Sequence, residues 1–106
     1  MFTTRDPSGY REALDGVQYK TLAWGVRTSL SEFHLDQGAV IPVHDHPHEQ
    51  TGYLVSGRLE FDIEGERQIA EPGDSWSLAG GVRHGVHVLE DSVVIEVFSP
   101  VREEYL

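Results

Sequence analysis

Residues 38–57 read GAVIPVHDHPHEQTGYLVSG. The run from Val40 to His46 is apolar and β-branched, as a strand should be, and Pro47 stops it. His44 and His46 are two residues apart. On a strand that spacing sends both side chains from one face, close enough to grip one ion. Gln50 opens a second apolar run, Gln50 to Val55, and a hairpin of this length returns it beside the two histidines. Ser56-Gly57 is expected to turn the chain. A lone His-x-His is more often surface or core histidine than a metal site, so the surroundings decide.

Working outward, Val17 to Trp24 and Leu30 to Leu35 read as strands, the second ended by Asp36-Gln37-Gly38. Arg58 to Glu64 alternates with period two: Leu59, Phe61 and Ile63 face one way and Glu60, Asp62 and Glu64 the other. Glu64-Gly65-Glu66 and Glu71-Pro72-Gly73-Asp74 are turns. Ser75 to Leu78, Val82 to Leu89 and Val93 to Phe98 complete the set. The first dozen residues are polar and are expected to form an irregular arm, and Pro100 to Tyr105 one short turn. About eight or nine short strands without a long helical pattern predict an all-β fold, a closed barrel or jelly roll, which also removes exposed edges.

The chain has 106 residues, the size of a single domain, here 1–106 with a core at roughly 17–99 between the arm and a C-terminal tail. It contains no cysteine, which excludes disulfides, thiolate zinc sites and thiol nucleophiles. Eighteen acidic residues against eight basic ones give a net charge of −10. Such a surface repels nucleic acid and anionic membranes. No apolar run approaches the length of a membrane span, and MFTTRDPSGYRE has no apolar signal region. The expectation is a cytoplasmic protein with no nucleic-acid or membrane partner.

His84 follows Gly73-DSWSL-AGG-VR and precedes an apolar strand, from which it can close the site begun by His44 and His46. His34 and His87 have no partner at useful spacing and read as structural; His48 lies in the Pro47 turn, either behind the site or exposed. The segment from Gly38 to Gly57 resembles the first cupin motif: Gly, five residues, His-x-His, three or four residues, Glu, six residues, Gly. The segment from Gly73 to His84 resembles the second, with Ala79 in place of its Pro and Val88 in place of its Asn. The resemblance implies the cupin double-stranded β-helix, a jelly-roll barrel. It also implies one divalent transition metal at His44, His46, Gln50 and His84. Gln50 stands at the motif's Glu position. Gln50, through its amide oxygen, is favoured over the adjacent Glu49, which would shorten the spacer and point to the other face. Three imidazoles and an amide leave a divalent ion uncompensated, which favours a small anionic substrate. The donors suit Ni, Zn, Fe, Mn, Co or Cu rather than Ca or Mg.

Val94, Glu96 and Phe98 share one face of the last strand, and Val93, Ile95 and Val97 the other; alternation alone leaves open which face is the core. HPHEQ, GGVRHGV and VFSPVREEYL are similar to the single-cupin proteins of pectin and alginate breakdown, the KdgF type, over most of the chain after residue 30. That resemblance implies conversion of a 4,5-unsaturated monouronate to its open-chain keto-deoxyuronate. Glu96 would move protons and Arg102, six residues later, would pair with the substrate carboxylate. The acidic position is usually Asp in that type. Small cupins also imply a homodimer. Two other readings remain: a metal-dependent dioxygenase acting on a small enol or diketone, and a binding protein that leaves its ligand unchanged.

Overall fold

β-branched and aromatic residues alternate with polar ones along most of the chain, and the backbone follows that pattern. The computed structural model describes residues 1–106. Its strands are β1 (Arg11–Leu14), β2 (Val17–Trp24), β3 (Ser29–Leu35), β4 (Val40–His44), β5 (Glu49–Ile63), β6 (Glu66–Ala70), β7 (Ser75–Leu78) and β8 (His84–Ser99), followed by a 3-10 turn at Glu103–Tyr105. They form one antiparallel sheet in the order β1-β2-β3-β8-β5-β6, with β4 on β8 and β7 on β5. The two long strands organise it. β5 and β8 pair with each other from Glu49↔Ser99 to Ile63↔His84. Each serves two sets of neighbours: β8 pairs with β4 near His84 and with β3 beyond Ser92, while β5 pairs with β7 at its start and β6 at its end. This is the expected jelly roll, and its inner face carries the core of Val17, Tyr19, Phe33, Leu35, Leu54, Leu59, Phe61, Val88, Val94 and Phe98.

Several boundaries differ from expectation for physical reasons. Ser56-Gly57 is not a turn. β5 runs through it as an irregularity in register, and its inward face changes from Gln50, Gly52 and Leu54 to Leu59 and Phe61. Gly57 allows this because it sits at φ 98°, and a Cβ there would overlap the Ser92 hydroxyl and the Asp91 carbonyl. β8 likewise continues through residues 90–92, where a break was expected, because Ser92 Oγ bridges the bend, donating to Glu90 O (2.7 Å) and accepting from Arg58 N–H (3.1 Å). β4 ends at His44, two residues early, and Arg11–Leu14 is a strand within the supposed arm. The segment Glu66–Ala70, unassigned between two turns, pairs with the end of β5. No helix is long and apolar enough to cross a membrane.

The C-terminal segment folds back over one end of the barrel. Arg102 N–H donates to Ser29 Oγ at 3.2 Å, and Thr21 Oγ1 and Arg11 Nη2 donate to Tyr105 O at 2.7 and 2.6 Å. The Tyr105 ring packs on Tyr19, Phe33 and Phe98.

Candidate functional site

Strand pairing sets the histidines. His44 at the end of β4 lies opposite His84 at the start of β8, and His46 follows on the loop to β5. One nitrogen from each of these three rings lies within 4.8 Å of the others. The ring orientation has a backbone cause. Nδ1 of His44, His46 and His84 lies 2.8, 2.9 and 2.8 Å from the carbonyls of Pro42, His48 and Val82. A carbonyl only accepts, so each Nδ1 carries the hydrogen and each Nε2 keeps its lone pair for another partner. Burial lowers the pKa of His46 and His84, which keeps them neutral at pH 7 as ligation requires.

Three buried atoms in this region have no protein partner: His48 Nδ1, which lies behind His46, and His46 Nε2 and Gln50 Oε1 at the cluster itself. An unpaired buried acceptor is costly, and two of them beside two further imidazoles fit a divalent cation. Gln50 is 6% exposed and its neighbour Glu49 faces solvent, as strand parity requires. The Gln50 amide has a defined direction. Nε2 donates to Glu96 Oε2 at 3.3 Å, leaving Oε1 for the histidine side. His48 lends only its carbonyl to His46. His34 is bonded to Glu32 outside the barrel and His87 is exposed.

Glu96 faces inward with Val94 and Phe98, and the opposite face of β8 is partly exposed. Its carboxyl is buried and receives hydrogen bonds from Gln50 Nε2 and from Trp76 Nε1 (3.2 Å). Burial pushes its pKa up to about 8, against the pull of those two donors and of Arg102. Arg102 lines the same cavity as His44, Gln50, His84 and Glu96. Its guanidinium lies 4.9 Å from the Phe98 ring centre and 4.3 Å from that of Tyr105, and Nε donates to Glu104 Oε1 at 2.6 Å. With Nε held, the terminal nitrogens are the part of the fork left for a ligand. The cavity opens past His44, Arg102 and Tyr105, which also line a depression outside it. All six expected site residues thus lie around one end of the barrel.

Trp76 and Tyr105 also wall the cavity, and neither stood out in the sequence. For Trp76 a signal existed: it shares strand parity with the buried Leu78 inside the second motif. For Tyr105 there was none, because its place depends on the fold-back of the C-terminal segment.

The model of the cupin domain family matches residues 31–99. The pectin degradation protein KdgF of Dickeya dadantii is 35% identical over 103 residues, which is 95% of this chain and 94% of that protein. The structure of KdgF from Halomonas superposes with a TM-score of 0.93 at 35% identity, covering 100% of both chains. An RmlC-like cupin from Shewanella frigidimarina superposes with a TM-score of 0.92 at 26% identity, covering 99% of this chain and 95% of that one.

Proposed function

The chain belongs to the cupin family and, within it, is a relative of the pectin degradation protein KdgF; from that premise we propose that it converts a 4,5-unsaturated monouronate into the linear keto-deoxyuronate, using one divalent transition metal. The observation that carries the reading is the buried Glu96 carboxyl lining the same cavity as His44, His84, Gln50 and Arg102, with His46 completing the imidazole cluster behind them.

His44, His46, Gln50 and His84 would hold the metal, and the unpartnered His46 Nε2 and Gln50 Oε1 are the atoms that support this. When bound, the cation supplies a Lewis acid and a positive charge for an anionic sugar. None of the four donors neutralises it, so an anion gains more here than beside a carboxylate ligand. Arg102 offers its terminal nitrogens to the sugar carboxylate, and its stacking on Phe98 and Tyr105 fixes the plane of the fork.

The reaction is an isomerisation. The C1 hydroxyl loses its proton as the bond from C1 to the ring oxygen breaks. C4 gains a proton, and C1 and C5 become carbonyl carbons. Glu96 is the group that moves the proton. Burial favours its protonated form, a neighbouring cation would favour the ionised one, and a carboxyl placed between those opposing influences can both give and take a proton. The test is the loss of the conjugated double-bond absorbance of an unsaturated monouronate, compared with its spontaneous opening. Wild-type protein with full metal content is expected to exceed the spontaneous rate. No acceleration would overturn the reading, and unchanged ligand recovered after tight binding would favour a binding protein.

A further inference from the structure

Trp76, Gly52 and Glu96 lie on one rung of three adjacent strands. β5 places Gly52 opposite Trp76 of β7 on one side and opposite Glu96 of β8 on the other. Any larger residue in the middle would separate the two. A Cβ at position 52 would overlap Nε1 and Cε2 of the Trp76 indole, so the indole occupies the space that Gly52 leaves empty. There it rests on Phe61, with ring centres 4.6 Å apart, and donates its N–H to Glu96 Oε1 at 3.2 Å. Gln50, one rung away on the same face of β5, donates to Oε2. Each oxygen of the carboxyl therefore has its own donor, from two different strands.

We propose that Trp76, seated by Gly52, is a positioning residue that fixes the plane of the Glu96 carboxyl for proton transfer. This rests on the uronate reading and deepens it. Glu has one more rotatable bond than the Asp usual at this place, so its carboxyl can rotate and swing further unless something holds it. The Gln50 hydrogen bond restrains one oxygen, and a single restraint leaves rotation about the Gln50–Glu96 line. The indole N–H removes that freedom. Misplacement of a reacting group by a fraction of an ångström is enough to slow a proton transfer.

The test combines kinetics with a measurement that needs no substrate. The chain has two tryptophans, so two indole N–H resonances are expected in the zinc-loaded, 15N-labelled protein, and Trp76→Phe assigns them. The Trp76 resonance should shift and exchange faster with water in Glu96→Leu. An unchanged resonance would show that the hydrogen bond is not formed, and would overturn the proposal whether or not uronate is turned over. Trp76→Phe keeps a ring against Phe61 but loses the donor. It should lower kcat by about 3- to 10-fold, the worth of one hydrogen bond to a neutral group, with KM within about twofold and metal content unchanged. Gly52→Ala, which keeps Trp76 but closes its seat, should act in the same direction, and the pair together should cost little more than the larger single effect. A loss confined to KM, or to melting temperature with kcat intact, would show that Trp76 only packs. If wild-type protein leaves unsaturated uronate at its spontaneous rate, the functional reading fails, and the resonance alone decides whether Trp76 holds Glu96.

Discussion

The site turns on single atoms whose partners are countable. Gln50 holds Glu96 with its nitrogen and leaves its oxygen unpaired, so Gln50→Ala, which removes a ligand, should weaken metal binding by at least the roughly 10- to 100-fold lost with a group that merely supports one. Glu49→Ala should leave binding within about twofold, because Glu49 faces solvent; titration with Ni²⁺ or Zn²⁺ against a competing chelator ranks the two, and the opposite ranking would show the register to be wrong. Glu96→Gln keeps size and one of the two accepted hydrogen bonds but cannot carry the proton, so turnover should fall by about 10²–10⁴-fold, far more than the loss of one hydrogen bond alone explains. Arg102→Lys keeps the charge and loses the planar fork and its stacking, so its main effect should be a raised KM. The three histidines and Gln50 were legible because their spacing is written in one short segment plus His84. Glu96 was legible only through the family resemblance, because alternation defines two faces without saying which is inside. The missing information was continuity: β8 runs unbroken from His84 to Glu96, so an inward histidine at 84 sets the parity, and apart from Glu90, exposed at the bend, the even positions face inward as far as Glu96.

The same continuity explains what was and was not readable at the level of strands. Val17–Trp24 and Ser75–Leu78 were legible to the residue, since each is short and bounded on both sides by turn residues. β5 and β8 were not, because a small barrel bends its long strands where a sequence pattern suggests a turn. Gly57 is the hinge of that bend in β5. At φ 98° with the Ser92 hydroxyl and Asp91 carbonyl against it, it has no room for a side chain. Gly57→Ala should therefore cost about 2–3 kcal/mol of stability, combining left-handed backbone strain with a backbone clash. Denaturant unfolding checks this. Gly65 is a contrasting control: it has φ 84° but open space around its Cβ position, so Gly65→Ala should suffer the strain alone and lose less. Equal losses at the two sites would mean that the close approach of Ser92 contributes nothing.

Across the whole molecule, a net charge of −10 sets anionic groups against one another, and the N-terminal segment is held to the barrel by a small set of polar contacts on its outside. Lys20 Nζ donates to the carbonyls of Asp6 and Ser8 at 2.9 and 2.7 Å. Glu32 on β3 accepts from the Tyr10 hydroxyl and pairs with His34 Nε2 at 2.7 Å. Burial works against the charged form of Glu32, but the hydrogen bonds from Tyr10 and His34 outweigh it and hold the carboxyl below its usual pKa. The same hydrogen bond, with burial, pushes the Tyr10 hydroxyl up to about 12. The signs follow from linkage. Glu32 is more acidic when folded, so its contribution is complete above the unfolded carboxyl pKa and is lost as pH falls through the folded one. Tyr10 is less acidic when folded, so its contribution is complete below its unfolded pKa of about 10 and is lost as pH rises toward 12. Attachment of the segment should therefore be constant between about pH 5 and 9 and weaken on both sides. Glu32 is only partly buried and lies on the outer face of β3, so release should be local, without unfolding of the barrel. Hydrogen exchange of residues 8–20 across this range, corrected for intrinsic rates, measures it. Glu32→Gln should remove the acid step while leaving exchange in β5 and β8 unchanged. An acid step that persists in Glu32→Gln would assign it to the wider charge balance, and high salt would then shift it.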